Sequence, residues 1–441
     1  MTGEKVCVVG IWHLGSVVSA CLADLGYSVV GVDRDEKKVE SLNNGTPPLF
    51  EPGLTELISS NIKLGRLRYT TDLGGAVKGS KFVLITLDTP VNEKDEIDLS
   101  ELFDVAIGLS MYLENDSVVV VSSQVPVGTC DQVRGLITTN NPSIIFDIAY
   151  SPENLRLGNA IQRFKIPGRI VIGANRDDTL DKVEELFSVV NAPIIRMNLR
   201  SAEMTKHAIN AFLGMSISFI NEIANICDEL GADALQVASG LRSDERIGQT
   251  APLNPGLGFA GGTLARDLKI LQELGTKVDR ETHLVNATLK VNETQNRLVI
   301  RKLLKVYDSL EKLSVGVFGL TYKPGTSTLR RSAALQIIHD LVREGVTVKA
   351  YDPKADLGEV REHKEFQFCS DPQMVADGCD ALIMITEWPE FKNLDFNSIK
   401  QSMKRPVLID TQNMLDEEQM REKGFLYFGV GRGGKLNEGV H

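Results

Sequence analysis

The chain has 441 residues, 42% of them apolar and 24% charged, the composition of an ordinary globular protein with enough length for two or three domains and more than one core. Its net charge of −11 and pI near 5.2 argue against nucleic acid or an anionic membrane surface as the main partner, while leaving room for a basic pocket that takes a small anion. No stretch is long and apolar enough to span a bilayer and the N-terminus lacks a signal-peptide layout; the six scattered cysteines form no C-x-x-C pair, so buried thiols of a cytoplasmic protein and no metal site are expected.

Lys5–Gly10 is a short apolar run that reads as a buried parallel strand. Gly10 to Gly15 makes a turn, Ser16–Leu25 reads as a helix stopped by Gly26, and Ser28–Val32 is a second strand ending at Asp33. Strand, glycine turn, helix, strand, acid is the order of a dinucleotide-binding β-α-β unit. Its expected cofactor contacts are Gly10, Trp12, His13, Leu14 and Gly15 in the turn, with Asp33 and Arg34 beyond. Asp33 suits two ribose hydroxyls and repels a 2′-phosphate, which favours NAD; Arg34 beside it keeps NADP open. Trp12 occupies the place of the middle glycine, so its indole must point away or displace the cofactor. Further strands end at Thr89-Pro90 and at Gln124, with a helix over Leu99–Leu113 between them, as a doubly wound sheet requires.

A helix starts over Ser201–Phe212 and sets Lys206 and Asn210 four apart on one face. Hydride removal from an alcohol leaves an oxygen that must shed a proton, and a positioned ammonium lowers that cost. Asn254–Gly258 is a loop by composition, suited to lying over a ligand. Arg280–Leu310 has sustained helical periodicity and reads as one long helix, and Leu313–Leu320 starts a second strand-and-turn unit. The Gly-rich tail from Gly429 reads as loose.

These segments resemble, in order, the motifs of the nucleotide-sugar dehydrogenases such as UDP-glucose 6-dehydrogenase. Asn254–Asp267 is similar to the family's G-F-G-G-x-C-F-x-K-D loop, with Thr263 at its nucleophilic cysteine and Arg266 at its lysine. Gly45–Leu54 is similar to G-x-x-P-x-x-E-P-G-L, and Val118–Thr129 to S-T-V-P-x-G-T with Gln124 for the first threonine. Ile148–Ala160 is similar to N-P-E-F-L-x-E-G-x-A, keeping Glu153 but with Leu157 at the later glutamate. Ser201–Phe212 is similar to E-x-x-K-x-x-x-N-A-F, Asp244–Gly248 to D-x-R-I-G, Thr321–Ser332 to F-K-P-x-T-D-D-x-R-E-S, and Val407–Asn413 to a strand ending D-x-R-N, with Gln412 for the arginine.

The resemblance implies an α/β fold of two Rossmann-like doubly wound parallel-sheet domains joined by a helical dimerisation domain. The expected boundaries are 1–197 for NAD, 198–305 for the central domain and 306–441 for the nucleotide sugar. It implies an NAD-dependent oxidoreductase acting on a UDP-linked sugar, with Lys206, Asn210 and Asp267 handling proton and oxyanion, and Glu153 around water attack. Leu155, Phe259, Gly261 and Lys323 would meet substrate, Arg330 would lie near the cofactor, and Arg246 would reach the neighbouring site of a homodimer. Serine, threonine and Arg331 in place of the acids of the 321–332 motif make that lining more basic. Thr263 rules out a thiohemiacetal, and its hydroxyl lacks an obvious base. Two routes stay open: one hydride and a carbonyl product, which the loss of cysteine, glutamate and threonine favours, or a hydrate that yields a second hydride. A redox-neutral, NAD-retaining epimerase-type enzyme and a non-catalytic nucleotide-sugar binder are the alternatives.

Overall fold

The computed structural model describes residues 3–90, 97–152, 155–260 and 262–433. The chain separates into two compact units, Met1–Ala208 and Ile209–His441.

The first unit carries strands β1 (Lys5–Val9), β2 (Ser28–Val32), β3 (Leu67–Thr70), β4 (Phe82–Ile85), β5 (Val118–Val121), β6 (Asp147–Tyr150), β7 (Ile170–Gly173) and β8 (Ile194–Met197), ordered β3-β2-β1-β4-β5-β6-β7-β8. Apolar residues, mostly valine, fill β1 after Lys5 and all of β4 and β5 because both faces of the sheet are covered, and these strands are buried almost throughout. The order reverses direction between β1 and β4, so the carboxyl ends of these two strands flank one crevice. The sheet is not wholly parallel as expected: β6 and β7 meet antiparallel at Tyr150 and Gly173. The connection between them carries only the six-residue helix Ala160–Lys165, and the chain returns along the sheet instead of crossing over it. The first helix also starts earlier than expected, at His13, because Trp12 is already its extended N-cap.

A 32-residue helix, Leu199–Leu230, runs from the first unit into the second. There follow helices Ala234–Ser243, Thr263–Lys277, His283–Gln295 and Leu298–Leu304. The single helix expected over Arg280–Leu310 is therefore two. It cannot begin at Arg280 because the chain leaves Thr263–Lys277 through Asp279 in the left-handed region (φ 54°), and it is interrupted at Asn296-Arg297, where the Asn296 side chain accepts the Gly258 amide. Leu284 is 72% exposed, so the apolar face read from the periodicity is not continuous in the core.

The second sheet comprises β9 (Ser314–Phe318), β10 (Thr347–Tyr351), β11 (Gln367–Phe368), β12 (Ala381–Met384), β13 (Val407–Asp410) and β14 (Leu426–Phe428), all parallel in the order β11-β10-β9-β12-β13-β14. The molecule thus has two parallel-type α/β sheets with a helical segment between them in the chain. The tail expected to be loose is anchored over its described part. Val430 is buried, the Ala234 amide donates to the Gly431 carbonyl, and Arg432 pairs with Asp233 at 3.2 Å and Glu417 at 2.7 Å. Gly431 has φ 68° and lies against Ala224 and Ala234, where a side chain would not fit. Among the described residues no helix is long and apolar enough to cross a membrane.

Candidate active site

In the first unit the crevice begins where β1 gives way to Gly10. This residue has φ 88°, and a Cβ on it would lie 2.9 Å from the Leu87 backbone beyond β4. Thr86 fixes the turn by donating from its hydroxyl to the Gly10 carbonyl at 2.7 Å. Gly15 is the tighter requirement, since its Cβ would stand 1.8 Å from the Gly10 carbonyl oxygen. The two outer glycines are thus dictated by packing of turn against helix. Trp12 has φ −66° and ψ −156°, ordinary extended backbone, so no glycine is needed there. Lys38, from the helix Glu36–Asn43, lies 5.9 Å from the centre of the indole ring.

Lys38 was not evident from the motif. It also donates to both oxygens of Asp33, at 3.0 and 3.2 Å. Asp33 further accepts the Ile11 amide at 3.2 Å and the Asp35 amide at 3.0 Å. A carboxylate has about four acceptor positions, so room for ribose hydroxyls exists only by sharing with these donors. Gly10, Gly15, Asp33 and the start of the helix at His13 fit a dinucleotide: a tight turn, unpaired amides at a helix N-terminus and an acid at the next strand end. Arg34 is exposed and reaches Asp104 at 3.4 Å, away from Asp33. His13 faces Glu51 at 3.2 Å, and Glu51 also accepts the Gly158 and Ala160 amides at 2.8 and 2.7 Å. Glu51, of the E-P-G-L segment, is therefore a buried clamp that joins the glycine turn to the start of Ala160–Lys165. Leu14 and Leu155 are half-buried and pack on the core below.

Thr89 donates from its hydroxyl to the Gln124 carbonyl at 2.8 Å and so ties together the ends of β4 and β5; Pro90 next to it is exposed. The segment after β5 is held from the other side by the long helix. Glu203 is fully buried and accepts the Gly128 and Cys130 amides at 2.6 and 2.8 Å, and His207 pairs with the Val125 carbonyl at 2.9 Å. Burial raises the Glu203 carboxyl above its usual range, against the lowering effect of the two amides. The acid that begins the E-x-x-K pattern is thus a fastening, one helical turn before Lys206. Lys206 itself is 8% exposed, far from the solvated lysine that a helix surface usually carries. Glu153 lies outside the described residues.

In the second unit Asn210 is 8% exposed and donates from Nδ2 to a carboxylate oxygen of Asp267, which is fully buried. Asp267 belongs to the helix that opens with Thr263, one turn earlier on the same face. Thr263 is exposed at the first turn of this helix and Gly262 precedes it as the N-cap; Gly261 lies outside the described residues. Phe259 packs on the long helix at Gly214, where a Cβ would come within 3.4 Å of its ring.

The loop expected to cover a ligand is itself held down. Gly256 donates to Asn221 Oδ1 at 2.8 Å, and its carbonyl accepts Gln295 at 2.7 Å. The Leu257 carbonyl accepts Asn221 Nδ2, the Gly258 amide donates to Asn296, and the Phe259 amide donates to Asn292 at 2.6 Å. Pro255 through Gly258 are buried in consequence. Asn292, Gln295 and Asn296 recur at i, i+3, i+4, an amide stripe in an otherwise mixed helix, and that spacing was the available signal. Gln412 reaches the same loop, near Gly256, and donates to the Ile385 carbonyl at 3.1 Å.

Of the remaining expected contacts, Arg246 makes a two-point pair with its neighbour Asp244 and is 84% exposed along its side chain. Lys323 sits 5.5 Å from the Tyr322 ring, and Arg330 is exposed. All six cysteines are free and buried. Burial pushes the Cys7 and Cys21 thiols up to about 12, so neither is a reactive thiolate near neutrality.

Residues 4–191 match the NAD binding domain of the UDP-glucose/GDP-mannose dehydrogenase family, residues 200–294 its central domain and residues 316–417 its UDP binding domain. The chain is 37% identical over 436 residues to UDP-glucose 6-dehydrogenase TuaD of Bacillus subtilis, covering 97% of this chain and 93% of that protein. It is 38% identical over 436 residues to the UDP-glucose 6-dehydrogenase of Rhizobium meliloti, covering 97% and 99%. The structure of a UDP-glucose dehydrogenase from Pyrobaculum islandicum superposes with a TM-score of 0.87 at 30% identity, over 97% of this chain and 98% of that one. The glycine turn, the acid after β2 and three matched domains in order lead to one conclusion: this chain belongs to the UDP-glucose/GDP-mannose dehydrogenase family of NAD-dependent oxidoreductases.

Proposed function

We propose that the protein oxidises a UDP-linked sugar with NAD and does so without attaching the sugar covalently to the chain. The observation that carries this reading is the buried Asn210–Asp267 hydrogen bond, which joins the helix bearing Lys206 to the helix that opens with Thr263. NAD, when bound, accepts the hydride. Lys206 donates a hydrogen bond to the sugar oxygen and bears the charge that develops there, Asn210 orients it, and Asp267 takes up the proton released. Thr263, an aliphatic alcohol, is too weak a nucleophile to trap the aldehyde, and its role is to border the reacting carbon. The first unit holds the dinucleotide through Gly10 to Gly15, Trp12 and Asp33, with Thr89, Pro90 and Gln124 toward its nicotinamide half; Arg330 is assigned to the cofactor from the family motif alone. Leu155, Phe259, Gly261, Lys323 and Glu153 are assigned to the nucleotide sugar from the family motifs alone. The domain limits 1–197, 198–305 and 306–441 belong to the same reading.

The protein works as a homodimer in this account. Phe212, Phe219, Ile226 and Leu230 are 60%, 49%, 49% and 77% exposed at seven- and four-residue spacing along one helix, an apolar stripe suited to a second copy. Arg246, on its exposed arm, reaches the neighbour's substrate.

Incubation with NAD and a panel of UDP-sugars is expected to form NADH. Lys206→Ala is expected to lose at least about a hundredfold in turnover with binding of UDP-sugar retained. Full turnover by that variant would overturn the assignment of Lys206. Bound cofactor absorbance with no net NADH would indicate the redox-neutral alternative.

A further inference from the structure

We infer that Arg331 is a substrate-positioning residue that holds the oxidised sugar carbon, as its hydrate, at the site between two hydride transfers. This rests on the functional reading above. Arg331 stands where the family motif has its glutamate, so the charge at this place is inverted. It occupies the third position of a turn closed by the Ser332 amide donating to the Leu329 carbonyl at 3.0 Å, and its φ is 59°. Turns of this kind favour glycine at that position, and an arginine there is held in a sparsely populated backbone region. The flanks over-determine it. Leu329 is fully buried with its amide on Glu359 at 2.6 Å, and Ser332 is buried and caps the helix Ala333–Arg343 through the Ala334 amide at 3.1 Å.

The side chain explains what the strained backbone achieves. The Arg331 guanidinium lies against Gly262, and a Cβ on Gly262 would be 2.7 Å from its Nη1. A side chain on Gly262 would have to push this guanidinium aside, and the next residue is Thr263. A planar, permanently charged fork therefore sits one residue from the position that would border the reacting carbon.

Two hydride transfers without a covalent cysteine adduct require another means of retaining the aldehyde between them. The first transfer breaks the sugar C–H bond with its electron pair going to NAD, the hydroxyl proton passing to Asp267. Water then adds across the carbonyl, its oxygen to carbon and a proton to the carbonyl oxygen. The hydrate has two geminal oxygens that match a guanidinium two-point, and the cation favours loss of one of their protons. Loss of the remaining C–H hydride to a second NAD then gives the carboxylate, which also pairs with Arg331.

The test is the ratio of NADH formed to sugar consumed, with UDP-glucose and the other UDP-sugars, together with hydroxylamine trapping of free aldehyde. Wild type is expected to give two NADH per sugar and no oxime. Arg331→Gly, which suits the positive φ and preserves the turn, is expected to give a ratio near one with the sugar appearing as oxime, and a first-turnover rate within about threefold of wild type. Arg331→Lys should recover part of the second oxidation, since it keeps the charge without the fork. Titration calorimetry gives a readout apart from turnover: the affinity for the UDP-uronate product should fall about tenfold or more in Arg331→Gly while that for UDP is unchanged, the loss of a hydrogen bond to a charged group. A wild-type ratio of one, or a ratio of two and unchanged product affinity in Arg331→Gly, overturns this assignment alone. No NADH from wild type with any UDP-sugar overturns the reading of function and this assignment with it.

Discussion

Each sheet places an aspartate at the end of the strand that follows its first turn, Asp33 after β2 and Asp352 after β10, and the two are used differently. Both accept an amide from the turn after the preceding strand, Ile11 in one case and Leu320 in the other. Both turns pivot on a glycine with φ near 90°, Gly10 at 88° and Gly319 at 92°, packed on the end of the next strand. Asp352 then takes the Thr321 amide and hydroxyl at 3.0 Å each, the Trp388 indole at 3.1 Å and the Lys354 amide at 2.9 Å, and is buried. Its acceptor capacity is spent on its own chain. Asp33 has a single mobile partner, Lys38, beside two amides. The same local architecture thus yields a fully engaged structural fastening in one unit and, in the reading proposed above, a cofactor acid in the other. What separates them is the turn: after Gly10 the helix begins within three residues, whereas after Gly319 the chain runs a dozen residues through Lys323, Arg330 and Arg331 before its helix starts at Ala333.

Substitutions that act on this contrast should differ in kind as well as size. Gly15→Ala drives a methyl into the Gly10 carbonyl, so it should cost about 3 kcal/mol or more of stability and abolish NAD binding, read by thermal unfolding with and without NAD. Asp352→Ala leaves buried donors without an acceptor and should cost about 3 kcal/mol, read by denaturant unfolding, with NAD affinity unchanged once folded. Asp33→Ala frees two amides and Lys38, so it should cost about 1–2 kcal/mol, less than Asp352→Ala, and shift the kcat/KM ratio of NADP to NAD upward by about tenfold, from the loss of charge repulsion toward the 2′-phosphate. If Asp33→Ala proves as destabilising as Asp352→Ala and leaves cofactor preference alone, the contrast fails. The smallest effect concerns Asp147 at the start of β6. Burial raises its carboxyl, but hydrogen bonds from Lys182 and Thr179 and the charges of Lys182 and Arg176 outweigh this and leave it lowered. A depressed folded value contributes stability above the unfolded value, near 3.8, that is lost as pH falls through the folded one. Lys182→Met should therefore move the acid-unfolding midpoint upward by a few tenths of a pH unit and change nothing at neutral pH beyond loss of the pair.

The fold was legible in the sequence because its signals are local: short Val-rich runs, a glycine turn, an acid at a strand end. The antiparallel junction of β6 and β7 was not, since nothing in a strand's composition states its direction. The long helix read over Arg280–Leu310 failed for a related reason: periodicity registers apolar spacing, while Asn292, Gln295 and Asn296 are recruited by a loop over thirty residues earlier. Lys38, Glu51 and Glu203 were likewise silent: Lys38 turns back to Asp33 across the start of its helix, and the two glutamates accept backbone amides distant in the chain. The anchored tail shows the converse, as Gly431 and Gly433 are small because helices lie against them and not because the chain is slack.

The central claim is that oxidation proceeds without a covalent sugar. Acid quench during steady turnover with UDP-glucose and NAD, followed by intact mass and mapping of the peptide around residue 263, tests it directly. The account predicts unmodified chain alongside accumulated NADH. A mass increment equal to the oxidised nucleotide sugar on Thr263 would contradict it.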